Sequence, residues 1–160
     1  LSKLIKKIDW NLISKGLPGR FHGDLHFENI IFNKSNKKFT LLDWRQDFEQ
    51  DIKIGDIYYD LAKLMHGIIV SHDQVYKEKF KISWNKNIIN FNIIQSTSHK
   101  ASLVFYKKWL LANGYDLSKV KIITSLIFLN IAALHHYPYS LFLYALGKRM
   151  LFDELSYNQV

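Results

Sequence analysis

The chain has 160 residues, a formal net charge of +8 and 48% hydrophobic residues. This length is typical of one domain with a sizeable core, which argues against intrinsic disorder and fibrous classes. There is no cysteine, so disulfide scaffolds, thiol nucleophiles and cysteine-ligated zinc are excluded. Any metal must therefore bind oxygen or imidazole ligands.

The positive charge does not point to a nucleic-acid partner. All but three of the 22 basic residues are lysines, whereas guanidinium groups are favoured in base and phosphate recognition. The most apolar stretch, residues 122–134, is shorter than the about 20 residues that a membrane span needs. No secretion signal is recognisable. We predict a cytoplasmic protein with no nucleic-acid partner and no membrane span.

In the first part of the chain, hydrophobic spacing predicts one amphipathic helix over residues 1–15, ended by the turn Gly16–Gly19. Two short apolar runs, residues 30–32 and 39–42, flank a polar segment. This pattern predicts a β-hairpin.

Helical spacing returns over residues 57–70, while residues 72–98 favour neither helix nor strand. Three more helices are predicted over residues 102–113, 117–134 and 139–155. The sequence therefore predicts an α+β fold that is mostly α-helical, with one small sheet. Residues 1–160 are interpreted as a single domain.

Acidic residues are concentrated in one region. More than half of the 14 lie between residues 24 and 60, namely Asp24, Glu28, Asp43, Asp47, Glu49, Asp51, Asp56 and Asp60. Close carboxylates repel one another, so such a group needs a neutralising cation or exposure to water. Exposure is sufficient for Asp47, Glu49 and Asp51, which are assigned no role.

The predicted hairpin determines which of these residues can meet. If its turn centres on Asn36, antiparallel pairing sets Asn29 opposite Asp43, with Cα atoms about 4.5 to 5.5 Å apart. An amide and a carboxylate oxygen would then converge, which suits Mg²⁺ beside phosphate oxygens. The hairpin is thus predicted to carry a metal site, and a register slip of one residue would remove the convergence.

The run His22-Gly-Asp24-Leu-His26-Phe-Glu-Asn29 precedes the hairpin, and its alternating His, Asp and His would share one face of an extended segment. This run, Leu41-Leu-Asp43-Trp44 and Gly55-Asp56-Ile-Tyr-Tyr-Asp60-Leu-Ala-Lys-Leu64 resemble the aminoglycoside phosphotransferase and choline kinase superfamily, which has a kinase-like fold. The resemblance covers residues 20–70. It implies ATP-dependent transfer of the terminal phosphate to a hydroxyl of a small molecule, such as choline, ethanolamine, an aminoglycoside or a sugar.

The resemblance also implies roles for individual residues. Asp24 would be the catalytic base, and Asn29 and Asp43 would hold Mg²⁺ on the ATP phosphates. Asp43 stands where protein kinases have the Asp of D-F-G, with Trp44-Arg45 replacing Phe-Gly.

Three further residues would support these. By the same resemblance His22 anchors the catalytic loop, Asp60 accepts hydrogen bonds from it, and His26 lines the site. A core histidine and a first-turn helix acid are the simpler alternatives for His22 and Asp60. Asp56 is expected to cap a helix, and Glu28 could either face the acceptor or be a solvated acid.

A kinase also needs a Gly-rich loop and a strand Lys paired with a helix Glu. No G-x-G occurs among the seven glycines. The chain is therefore predicted to be the C-terminal lobe of a longer enzyme, lacking the N-terminal nucleotide-clamping lobe. The isolated lobe should be poorly active and could self-associate through uncovered apolar surface.

Two alternatives differ in class. A metallophosphoesterase would use Gly23-Asp24-Leu-His26 and Gly55-Asp56 as metal-binding elements. That class also needs an Asn-His pair, and the sequence contains none. The second alternative is a non-catalytic kinase-like binding module.

Overall fold

A computed structural model describes residues 1–45 and 54–157. The predicted α+β fold class is confirmed, with about 54% helix. The described residues form three two-stranded sheets, so the prediction of one small sheet is wrong. The helices are α1 (Ser2–Ile5), α2 (Trp10–Ser14), α3 (Ile57–Ile69), α4 (His72–Tyr76), α5 (Thr97–Ala112), α6 (Leu117–Ala132) and α7 (Tyr139–Tyr157), and Phe27–Asn29 form a 3-10 turn. The strands pair antiparallel as β1 (Pro18–Gly19) with β4 (Gly55–Asp56), β2 (Ile30–Asn33) with β3 (Lys38–Leu41), and β5 (Phe80–Asn85) with β6 (Ile88–Ile93).

The prediction of one helix over residues 1–15 is wrong, because α1 and α2 are separate. Asp9 lies between them in an extended conformation, and its carboxylate accepts a hydrogen bond from the Leu12 N–H at 3.1 Å. A side chain that caps a helix in this way begins a new helix. Ile8, at the break, is buried in a small cluster with residues of α6 and α7. Leu4, Ile5 and Ile13 pack against the same cluster, whereas Leu1 and Leu12 are exposed, so the hydrophobic spacing predicts only part of the buried face.

The core lies where α6 packs against α3 and against α7. Its fully buried members include Ala62, Met65, Val120, Phe128, Phe142 and Leu143. The helices predicted over residues 57–70, 102–113, 117–134 and 139–155 are all present, although α5 begins earlier, after the Ser96 N-cap. Because α3 is buried along most of its length, the positions of its polar side chains are fixed by the packing of the helix.

Residues 72–98 contain a short helix and a second hairpin. Ser71 and Gln74 form a capping box at the start of α4, and each satisfies a backbone N–H of the other. Phe80 and Phe91, on β5 and β6, place their rings 5.0 and 6.0 Å from the ring of Phe142. These contacts attach the hairpin to α7.

The hairpin of β2 and β3 is confirmed, but its register differs from the prediction by one residue. Ile30 pairs with Leu41, and the Leu42 N–H donates to the Asn29 carbonyl at 2.9 Å. Asn29 therefore lies opposite Leu42 and not opposite Asp43. The cause is the loop, which has four residues between Asn33 and Lys38 and so no central residue.

Lys119 of α6 anchors the segment that contains α2. It is 3% exposed, and its ammonium group donates to the carbonyl oxygens of Leu12, at 3.1 Å, and of Lys15. The same group lies 4.5 Å from the centre of the Tyr58 ring. The buried charge is thus compensated by two carbonyl dipoles at the end of a helix and by an aromatic face.

Replacing Lys119 with Met is expected to lower the free energy of unfolding by about 2 kcal/mol, because two carbonyl groups lose a charged donor. Urea unfolding at neutral pH measures the change. Lys108→Met, an exposed position on α5, is the matched control and should leave stability nearly unchanged. Equal stability of the two variants would contradict the anchoring role of Lys119.

None of the helices in the described ranges combines the length and apolar character that a membrane-spanning segment requires.

Candidate active site

The loop His22-Gly-Asp24 is attached to the first turn of α3 through Asp60. This carboxylate is buried and accepts hydrogen bonds from the backbone N–H of His22 at 2.5 Å and of Gly23 at 2.8 Å. Each carboxylate oxygen therefore holds one backbone donor. A carboxylate paired in this way fixes the path of the loop immediately before Asp24.

His22 connects the loop to the end of β3. Its ring is buried, Nε2 lies 2.7 Å from the Leu42 carbonyl, and Nδ1 accepts the Asp24 N–H at 3.2 Å. A carbonyl partner requires a donor and an N–H partner requires an acceptor, so these contacts assign neutral imidazole with its proton on Nε2. The Trp44 ring packs against it, with 4.9 Å between centroids.

Gly23 is required by the geometry of the loop. Its φ is +81°, and an added Cβ would lie 2.4 Å from the Cβ of Arg45. The Arg45 N–H donates to the His22 carbonyl at 2.8 Å, so the segment after Asp43 passes close to the loop. A side chain at residue 23 would separate the two segments.

Asp24 lies between two basic groups. Its Oδ1 is 2.6 Å from the Lys63 ammonium, and its Oδ2 is 3.3 Å from His26 Nε2. Burial alone would raise the pKa of this carboxyl, but the hydrogen bond and charge of Lys63, followed by those of His26, outweigh burial and lower the pKa. Asp24 is therefore an anion with a fixed orientation.

Asn29 lies beside Asp24, whereas Asp43 lies at the end of the neighbouring strand. The Asn29 amide nitrogen donates to the Asp24 carbonyl at 3.0 Å and lies 3.2 Å from His26 Nε2. Asp43 is exposed and has a φ of +55°, so the chain turns sharply there. The structure thus brings Asp24, His26 and Asn29 into contact. Within residues 1–45 and 54–157 it gathers no group of three or more His, Asp or Glu suited to a metal ion.

Glu28 is engaged with the protein on both oxygens. Its Oε2 lies 2.9 Å from His26 Nδ1, and its Oε1 accepts the His72 N–H at 3.1 Å. Its side chain is 33% exposed, so it remains in contact with solvent while it is bonded through both oxygens. Glu28 orients the His26 ring and attaches the loop to the start of α4.

Other acids predicted in this region have different positions. Asp56 is the N-cap of α3, as expected, and accepts hydrogen bonds from Tyr58 at 3.0 Å and from Leu17 at 2.9 Å. Asp47, Glu49 and Asp51 lie outside the described residues.

Lys63 is the site residue that sequence reasoning missed. A usable signal was present, because Lys63 follows Asp60 by three residues in a predicted helix, and residues three apart share a helix face. Asp60 was predicted to face the loop, so Lys63, on the same face of the helix, could have been predicted to face it too. The many acidic residues near Asp24 in the sequence also indicated that a cationic side chain lies nearby.

Comparison with known proteins identifies the family. The sequence model of the phosphotransferase enzyme family matches residues 3–87, which include the loop, the first hairpin and α3. No curated protein and no solved structure matched the chain. The family match covers more than half of the sequence and agrees with the resemblance of the motifs. The chain therefore belongs to the phosphotransferase enzyme family.

Proposed function

We propose that the protein transfers the terminal phosphate of ATP to a hydroxyl group of a small molecule, with Asp24 as the catalytic base. The observation that carries the proposal is the state of Asp24. It is an anion held from both sides yet 34% exposed, so an acceptor hydroxyl can reach it. A positioned carboxylate of this kind accepts the proton of the attacking hydroxyl as the oxygen–phosphorus bond forms.

Asn29 and Asp43 are the residues that we propose to hold Mg²⁺. The Asn29 nitrogen donates to Asp24, so its amide oxygen faces away from that carbonyl and is available to a cation. Mg²⁺ is commonly held by one or two carboxylates, with waters and phosphate oxygens completing its shell. An amide and a carboxylate at neighbouring strand ends fit this donor set, and the ion would neutralise the ATP phosphates.

The first hairpin offers a surface for the nucleotide base. Ile31 pairs with Thr40, and Leu42 lies two residues beyond Thr40, so all three side chains lie on one face of the hairpin. Ile31 is 51% and Leu42 41% exposed. Exposed apolar side chains next to Asn29 suit a flat aromatic base.

We further propose that a nucleotide-clamping lobe belongs to the same polypeptide and covers this surface. The sequence contains no Gly-rich loop that could cover the phosphates. Ile31 and Leu42 are exposed on one face of the hairpin, and Phe32 and Phe39 are exposed on the other, with their ring centroids 4.8 Å apart. Without a covering lobe, such apolar surface favours self-association.

The alternatives have less support. In a phosphoesterase Asp56 would bind a second metal, but here its Oδ1 accepts two backbone N–H groups, and the residue caps α3. A non-catalytic module does not require an exposed, oriented Asp24. Neither alternative explains the contacts of the loop as well as phosphate transfer does.

The test is ADP release from ATP with a panel of hydroxyl acceptors that includes choline, ethanolamine, an aminoglycoside and sugars. We expect release that requires both Mg²⁺ and one acceptor class, with a phosphorylated product. Asp43→Asn should raise the Mg²⁺ concentration for half-maximal rate about 10-fold, because a neutral amide binds Mg²⁺ more weakly than a carboxylate.

The matched control is Asp153→Asn, which removes an exposed ion pair with Arg149 on α7 and should not change the Mg²⁺ requirement. ADP release that ignores every acceptor would contradict the proposal. Release of free phosphate from phosphate esters would instead support the phosphoesterase alternative.

A further inference from the structure

Two residues of α3, one helical turn apart, hold three consecutive residues of the catalytic loop. Asp60 binds the backbone N–H of His22 and Gly23, and Lys63 binds the side chain of Asp24. The Lys63 side chain is only 12% exposed, so its position is set by its surroundings. Helix α3 thus fixes the backbone conformation of the loop and orients the Asp24 carboxylate.

We propose that Lys63 is a positioning residue for phosphate transfer, which holds the Asp24 carboxylate toward the acceptor hydroxyl. This inference rests on the proposed function. Lys63 acts through Oδ1, at 2.6 Å, while His26 lies on the side of Oδ2. With a basic group at each oxygen, rotation of the carboxylate would break at least one charge-assisted contact.

The support for Lys63 comes from the core. Its neighbours Leu61, Ala62 and Met65 are buried in the cluster that joins α3 to α6 and α7. A cation carried by a packed helix varies little in position, in contrast to one carried by a loop. Since a displacement of about 1 Å at a reacting group can cost about 10²-fold in rate, fixing the carboxylate has a direct effect on turnover.

His26 cannot replace this function alone. Its Nε2 lies 3.3 Å from Oδ2 and is shared with the Asn29 amide, 3.2 Å away. Lys63 makes the shorter contact and has no other ion-pair partner among the described residues. Loss of Lys63 therefore leaves the Asp24 carboxylate with two long contacts, both at Oδ2, from His26 Nε2 at 3.3 Å and from the Asn29 amide nitrogen at 3.5 Å.

The experiment compares Lys63→Met, Lys63→Arg and Lys77→Met with the unaltered enzyme, using the full polypeptide and the best acceptor from the panel. We expect Lys63→Met to lower kcat about 30-fold while the KM values for ATP and acceptor change less than about 3-fold, because bound substrates remain but the base is misplaced. Lys63→Arg retains a cation and should recover part of kcat.

Lys77→Met removes an exposed ion pair of the same 2.6 Å length, with Asp73 on α4, and should behave as the unaltered enzyme. Circular dichroism and the midpoint of thermal unfolding establish that each variant is folded. If Lys63→Met does not fold, the Lys63→Arg and Lys63→Gln variants give the same kcat and KM comparison.

The outcomes distinguish failure of the positioning role of Lys63 from failure of the proposed function. A loss of kcat alone, with partial rescue by Arg, supports the positioning role. Unchanged kcat in Lys63→Met, or equal changes of kcat in all variants, overturns it while the proposed function stands. If the unaltered enzyme transfers phosphate to no acceptor, the proposed function fails and the inference fails with it.

Discussion

Replacing Asp24 with Asn is expected to lower kcat for phosphate transfer at least about 10²-fold, because general-base catalysis contributes 10² or more and an amide does not accept the hydroxyl proton. The substitution preserves shape, so its oxygen can still accept from Lys63, whose ammonium lies 2.6 Å from the carboxylate. Steady-state kinetics with ATP and the acceptor measure the loss. Calorimetry should show nearly unchanged nucleotide affinity, since Asp24 contacts the acceptor and not the metal in the proposed arrangement.

The matched control for this variant is Asp73→Asn. Asp73 also pairs with a lysine at 2.6 Å, but at an exposed position on α4, and this pair does not include Asp24. We expect this variant to retain full activity. Activity within about threefold of normal in Asp24→Asn would remove Asp24 from the role of base and leave the family assignment intact.

The residues that we propose for the site lie in short contiguous motifs, which is why a sequence alone could suggest them. The run from His22 to Asn29 encodes its own geometry, since Gly23 permits the bend and Asn29 bonds back to Asp24 over five residues. The Asp60 contact with this loop followed from the family resemblance, and the structure contains that contact. Local sequence was sufficient where local bonds determine the conformation.

Prediction failed where the outcome depended on small differences between competing structures. The hairpin register was wrong by one residue because four-residue and five-residue loops are nearly equivalent in a polar segment. The break between α1 and α2 depends on one cap at Asp9, within a pattern that otherwise continues. The Lys63 contact is tertiary, and spacing alone could place it on a face but could not identify its partner.

The second large effect that we expect concerns His66 of α3, which should make the free energy of unfolding depend on pH. It is buried against Phe128, with 4.8 Å between ring centroids, and neither ring nitrogen has a hydrogen-bond partner in the described part of the chain. Burial, followed by the positive charges of Lys63, His26 and His72, lowers the pKa of His66 to about 3, although Asp24 acts in the opposite direction. The ring is therefore neutral in the folded protein at all ordinary pH values.

The pKa of His66 is lower in the folded protein than in the unfolded chain, and this difference determines how stability changes with pH. The ordinary pKa of histidine is 6.5, so below that pH the unfolded chain binds a proton that the folded chain does not bind until about pH 3. Stability from this residue is therefore complete above about pH 6.5 and falls as the pH decreases toward 3. The loss is about 1.4 kcal/mol per pH unit, or about 3 kcal/mol by pH 4.

Urea unfolding of the unaltered protein and of His66→Leu, at several pH values between 4 and 7.5, isolates this contribution from that of other groups. At pH 7.5 we expect the variant to be as stable or about 1 kcal/mol more stable, because a buried polar ring without partners is replaced by an apolar side chain. The advantage of the variant should grow steadily as the pH falls. His135→Gln, at an exposed position, is the control and should follow the unaltered protein at every pH. A difference in stability between His66→Leu and the unaltered protein that stays constant with pH would contradict the lowered pKa of His66.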